Sequence, residues 1–209
     1  MSSVTKRAFT SRADRRAQLT PVLLRAVEEL LEAGERYTDL TVDRICKQAD
    51  TSRSTFYVYF EDKGFLLQEF FQHIVSDLTE KAEFWWHLPH HTTKDEMRTA
   101  FRAIFDGYRP NRAVWGAVTE AVSYDEGVRE RYQVLMDANV AAVVNHIRVG
   151  QKEGYVRKEV DPESIAQWLT WMTATGLHQL VGPADDARLE SLLASIVDIY
   201  WGTLYEGVR

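Results

Sequence analysis

The sequence predicts an all-α fold of about nine helices: a short pair joined by a tight turn near the N-terminus, then a larger helical body. Three observations carry this. Apolar residues recur at i, i+3 and i+4 along most of the chain. No segment alternates strongly; the one β-like stretch, "YVRKEV" at 155–160, reads as a loop. Prolines 89, 110, 162 and 183 fall where helices of ordinary length would start or stop.

In order along the chain, residues 1–19 read as a basic arm, since Lys6, Arg7, Arg12, Arg15 and Arg16 face only Asp14. Segment 11–19 could also add a turn to the helix that follows. In "TPVLLRAVEELLEAG", Val22, Leu23, Ala26, Val27, Leu30 and Leu31 share one face. Thr20 suits its cap, Pro21 its first position and Gly34 its end. Thr41 then caps a short helix with Val42, Ile45, Cys46 and Ala49 on one side and Asp43 in its first turn. "ADTS" turns the chain, and Ser52 caps a second short helix over 53–59. The body divides into helices at 63–87, 93–108, 110–122, 125–152, 162–181 and 185–205, with no internal repeat. The expected domains are therefore an arm at 1–19, a two-helix head at 20–67 and a body at 68–209.

Composition excludes several classes. With 45% hydrophobic and 27% charged residues, five prolines and eleven glycines, the chain has the makeup of a globular protein rather than a disordered one. Its longest apolar runs, such as "VAAVV" at 140–144, fall far short of the roughly 20 residues of a membrane span. No apolar stretch follows the basic start, so no secretory signal is expected. The single Cys46 fits a reducing cytoplasm. The net charge of −6 is unevenly spread. Residues 1–60 carry 10 basic against 8 acidic side chains and the remainder 15 against 23. A basic end on an acidic body can meet a polyanion locally.

The stretch "TSRSTFYVYFEDKGFLL", 51–67, carries function. Phe56 and Phe60 are i, i+4 and point inward, leaving Arg53, Ser54, Thr55, Tyr57 and Tyr59 for the outward faces. Such groups hydrogen-bond phosphates and base edges, and two short helices with a tight turn form a helix-turn-helix, whose second helix enters the DNA major groove. Lys63 stands at the start of the next helix, where backbone N–H groups favour an anion. An aromatic helix buried in a core explains Phe56 and Phe60 but not Tyr57, Tyr59 and Lys63.

"LTVDRICKQADTSRSTFYVYFEDKGFLL" resembles the helix-turn-helix of the TetR family of bacterial one-component repressors, including the run Thr55, Phe56, Tyr57, Phe60 and Lys63. The resemblance implies that Tyr57 and Lys63 hold phosphates and that Thr41, Arg53, Ser54 and Thr55 lie at or near the DNA. Ser52, the cap of the same short helix, and Tyr59 within it join them as DNA-binding candidates. Asp50 stands where the family usually has a turn glycine, and Thr51 where it often has an apolar residue. Asp tolerates the left-handed backbone better than most residues.

Aromatic residues crowd the body: Trp85, Trp86, Phe101, Phe105, Tyr108, Trp115, Trp168, Trp171, Tyr200 and Trp201, with Met97, Met136 and Met172 among them. One by one they read as core. Together, with Asn139, Thr170 and Thr173 as polar groups, they describe an apolar cavity between helices. "TAFRAIFDGYRPNRAV" and "IVDIYWGTLYEGVR" are similar to a mycobacterial branch of the same family. That similarity implies a pocket lined by Met97, Phe101, Ile104, Tyr108, Met136, Asn139, Thr170, Thr173 and Tyr200. The last two helices carry more apolar residues than one buried face needs, so a partner copy is expected there; the family pairs these helices into a homodimer.

No metal site, nucleotide loop or nucleophile elbow is expected. His87, His90 and His91 are separated by Pro89 from any common helix face, Cys46 reads as a buried thiol, and His146 and His178 are isolated. The function expected is a ligand-responsive, homodimeric repressor of a double-stranded DNA operator, with a hydrophobic small-molecule effector and no cofactor, no enzyme activity and no membrane. The alternative is an all-helical enzyme or carrier of hydrophobic molecules that does not bind DNA.

Overall fold

The computed structural model describes residues 11–72, 74 and 93–207, and all their regular structure is helical. The chain forms two compact units, Met1–Phe70 and Phe71–Arg209. His87, His90, His91, Trp85 and Trp86 lie outside the described residues.

The first unit is built from α1 (Arg12–Glu32), α2 (Val42–Gln48), α3 (Arg53–Tyr59) and the start of α4, described over 63–72. α1 begins earlier than its apolar face suggests, and this corrects the reading of 12–19 as an arm. Ser11 Oγ accepts from the Asp14 N–H at 3.0 Å and the Asp14 carboxylate accepts the Ser11 N–H at 2.8 Å, a complete capping box. Thr20 is consequently no cap; its hydroxyl donates to the Arg16 carbonyl. Pro21 lies inside the helix, where a proline costs about 3 kcal/mol. Contacts of the extension offset that cost. The Arg12 guanidinium donates to the Val58 carbonyl, while Arg16 lies over the Phe65 ring and 3.7 Å from Glu69. Leu23, Val27 and Leu30 are buried, whereas Val22 faces out. Gly34, at φ +92°, ends the helix as expected, with the Glu35 N–H returning to the Leu30 carbonyl.

In the second unit come α5 (Lys94–Tyr108), a 3₁₀ turn (Arg109–Asn111), α6 (Arg112–Ala121), α7 (Glu126–Glu153), α8 (Pro162–Gly176), a π-helical turn (Leu177–Val181) and α9 (Asp186–Leu204). Thr93, Asp125, Asp161 and Asp185 each cap the helix that follows. α7 packs along α8, and α5 along α9. Lys94–Asp198 at 2.5 Å and the Arg98 and Arg102 pairs to Glu190 line the latter seam. The β-like "YVRKEV" is a loop, anchored where the Arg157 N–H donates to the Leu204 carbonyl at 2.9 Å. It enters against Gly150, where a Cβ would lie 2.3 Å from the nearest Val156 methyl. Only glycine fits there.

Candidate nucleic-acid interface and body cluster

α3 is held by one edge. Phe56 is wholly buried and Phe60 nearly so, their ring centroids 5.3 Å apart, with Phe65 6.4 Å beyond Phe60. Burying two phenyl rings in this way contributes several kcal/mol and fixes which side of the short helix faces solvent. On that side Arg53, Ser54, Thr55, Tyr57 and Val58 are exposed and Tyr59 is half-buried. Ser52 Oγ accepts from the Thr55 N–H and lies 2.8 Å from both Ser54 Oγ and Thr55 Oγ1, so three hydroxyls cluster at the first turn. Arg53 reaches Asp43 of α2 only loosely, at 4.0 Å, with both side chains largely in water.

Two turns set the angle of α3. Thr41 caps α2 by accepting from the Arg44 N–H. Asp50, at φ +47°, takes the left-handed conformation in which a glycine would be least strained, and the Thr51 N–H closes the turn on the Cys46 carbonyl at 2.9 Å. Cys46 itself is buried, and burial pushes its thiol pKa up.

Lys63 is the departure. Its ammonium donates to the carbonyls of Tyr37, Thr38 and Leu40 at 3.1, 2.6 and 3.0 Å. An ammonium has three hydrogens. The residue expected to hold a phosphate is thus engaged with the α1–α2 loop, because that loop has no helix to satisfy its carbonyls.

In the body, Met97, Phe101, Phe105, Tyr108, Trp115, Met136, Thr170 and Tyr200 are buried, while Ile104, Asn139 and Thr173 are half-buried. Tyr200 packs edge-on to Phe101 at 4.7 Å; its hydroxyl donates to the Leu169 carbonyl at 3.1 Å and lies 2.8 Å from Thr173 Oγ1. Burial holds the Tyr200 and Tyr108 phenols well above their ordinary pKa. A chain of rings runs Tyr108–Trp115–Phe71–Tyr132–Trp171, with centroids 5.5 to 6.2 Å apart. Tyr108 OH also meets His178 Nδ1 of the π-helical turn at 3.3 Å. Among the described residues, Trp115 Nε1 and Thr170 Oγ1 are buried without a hydrogen-bond partner.

Residues 23–70 match the family described as "Bacterial regulatory proteins, tetR family", and residues 97–206, more than half of the chain, match "Transcriptional regulator EthR, C-terminal domain". The chain belongs to the TetR family of transcriptional regulators. Among its TetR-family relatives, the HTH-type transcriptional regulator EthR of Mycobacterium tuberculosis is 24% identical over 185 residues, 88% of this chain and 85% of that one. EthR of Mycolicibacterium smegmatis is 24% identical over 188 residues, 88% and 84% of the two chains. The fold is similar to that of Salmonella enterica GusR (TM-score 0.67, 22% identity, 90% of this chain and 95% of that one). It is also similar to the TetR-family regulator PfmR from Thermus thermophilus (TM-score 0.69, 18% identity, 85% and 96%).

Of the expected pocket residues of this TetR-family chain, Trp168 lies largely in solvent, 76% exposed, because its register on α8 turns it away from the buried Ala166 and Leu169. Trp171 is 41% exposed while its ring still meets Tyr132. Three residues of the cluster escape sequence reasoning. Tyr132 stands one turn before Met136 on α7, a periodicity that could have found it. Phe71 lies at the end of an apolar run, and His178 meets Tyr108 across 70 positions, for which no local signal exists. Among the described residues no group of His, Cys, Asp and Glu could hold a metal, and no helix is long and apolar enough to cross a membrane.

Proposed function

We propose that this TetR-family regulator is a homodimeric repressor of a pseudo-palindromic operator, released or retained by a hydrophobic small molecule in the second unit. The outward face of α3 carries the reading. Arg53, Ser54, Thr55 and Tyr57 are exposed donors on a helix fixed from behind by Phe56, and Thr41, Ser52 and Tyr59 flank them. In the major groove, Arg53 and the hydroxyls suit base edges and phosphates, and Tyr57 suits a phosphate. Two such heads would sit one DNA turn, about 34–36 Å, or a multiple apart.

The dimer is supported by apolar surface on α8, the π-helical turn and α9, where Trp168, Trp171, Leu180 and Ile199 are exposed and Leu192 and Ile196 half-buried. The effector reading is supported by two polar atoms that are buried and, among the described residues, without a hydrogen-bond partner: Trp115 Nε1, beside the Tyr108 ring, and Thr170 Oγ1. Buried polar groups normally find a partner, so a guest offering one acceptor or donor and an otherwise uncharged surface suits this interior. No Lys or Arg stands among the lining positions, which disfavours a carboxylate or phosphate.

The test is anisotropy of labelled duplex across a salt series. Binding should weaken steeply with salt, since each neutralised phosphate contributes about −0.9 to the log–log slope. Absence of salt-dependent duplex binding would leave the reading without support and favour a carrier. A Trp168→Glu substitution should convert dimer to monomer by sedimentation; an unchanged wild-type monomer would refute the interface.

A further inference from the structure

We propose that Lys63 is a positioning residue for DNA binding, one that fastens the α1–α2 loop to the head of α4 and touches no phosphate itself. The inference rests on the DNA-binding reading above. Its basis is a reciprocal clamp. Lys63 Nζ donates to the Tyr37, Thr38 and Leu40 carbonyls, and the Tyr37 hydroxyl donates back to the Lys63 carbonyl. The ammonium also stands 5.7 Å from the centroid of the Tyr37 ring, which is 2% exposed, with Leu40 equally buried.

Four features make this more than an incidental contact. Hydrogen bonds from a charged donor are about twice as strong as neutral ones, and here three converge on one nitrogen. The acceptors belong to a tight turn, closed by the Leu40 N–H onto the Arg36 and Tyr37 carbonyls. The next residue is Thr41, the cap of α2, so the clamp sets where α2 begins and, through the Asp50 turn, where α3 points. The head of α4 is moreover already provided with an anion: Asp62 Oδ1 accepts from the Phe65 N–H at 2.7 Å. A phosphate placed there would meet a carboxylate, and turning Lys63 toward it would withdraw a charged donor from three carbonyls at once.

The experiment compares full-length wild type, Lys63→Met and Lys63→Arg by duplex anisotropy over a salt series, with amide exchange of the DNA-free proteins over residues 38–44. Lys63→Met should bind about tenfold or more weakly, the loss expected for charged hydrogen bonds, with the salt slope of the wild type. Lys63→Arg should lose most of the same affinity, because a planar fork cannot aim its donors at three carbonyls that converge on one point. Amides 38–44 should exchange faster in both. A slope reduced by about one unit in Lys63→Met with loop exchange unchanged would overturn the clamp in favour of a phosphate contact. Wild-type affinity in Lys63→Arg would overturn it too. Binding is measured at a temperature where circular dichroism shows each variant folded; full recovery of affinity there would reduce Lys63 to a stabilising residue and overturn positioning. Should the wild type bind no duplex, the functional reading fails, and loop exchange in the DNA-free proteins alone decides the clamp.

Discussion

The two units differ in how completely side-chain donors find acceptors. In the first, side-chain cations close on main-chain carbonyls: Arg12 on Val58, Lys63 on Tyr37, Thr38 and Leu40. Each fixes one element against another, and the exposed face of α3 is what remains available. In the second, cations pair with carboxylates along the α5–α9 seam and Arg109 and Arg157 also reach carbonyls, while among the described residues Trp115 Nε1 and Thr170 Oγ1 are buried without a hydrogen-bond partner. A satisfied polar group makes a scaffold. An unsatisfied one destabilises by roughly 1–3 kcal/mol, and persists where something else is gained from it.

That contrast can be broken most severely at the base of α3. Phe56→Ala removes a fully buried ring and should cost about 3–5 kcal/mol, enough to melt the first unit while the helicity of the second survives. Circular dichroism showing one joint transition would mean that the units do not fold independently. Next, Gly150→Ala should destabilise the second unit by about 1–3 kcal/mol, since the added methyl overlaps Val156 and Tyr155. A thermal midpoint equal to that of the wild type would mean the "YVRKEV" loop yields easily. Third, Thr170→Val should raise the midpoint by the equivalent of about 1 kcal/mol, because it replaces an unpartnered buried hydroxyl with a methyl of similar shape. A fall would show that the hydroxyl has found a partner and would erase the contrast at that position. The smallest effect is expected at Asp50, where glycine relieves the left-handed strain but loosens the unfolded chain. Asp50→Gly should stabilise by about 0.5 kcal/mol or less. Marked destabilisation would give the Asp50 side chain a role in the turn.

Short-range physics was legible in the sequence. The caps Thr41 and Ser52 and the inward pair Phe56 and Phe60 follow from residue type and spacing, the left-handed backbone at Asp50 from the family resemblance, and the structure has them. Thr20 and Pro21 misled because Ser11 and Asp14 offer an equally good cap signal one helix-length earlier, and tertiary contacts of Arg12 and Arg16 decide between them. Trp168 misled because hydrophobicity marks a side chain for burial without saying in what, and one sequence does not tell an exposed apolar side chain from a core one. At Lys63 a cation at a helix start implies an anion, and no local signal announces the carbonyls 23 to 26 positions away that its ammonium meets in the DNA-free chain.

The bond from Arg12 to Val58 bears on how this regulator can be dissected. Family resemblance delimits a DNA-binding module at residues 23–70, and a fragment cut there would look complete. It would lack the guanidinium that closes over the last turn of α3, the Ser11–Asp14 cap and the Arg16 contact with Phe65. The portable unit therefore starts well before the recognisable one, at Ser11. A tag or truncation encroaching on that stretch would loosen the first unit without altering any residue on the exposed face of α3.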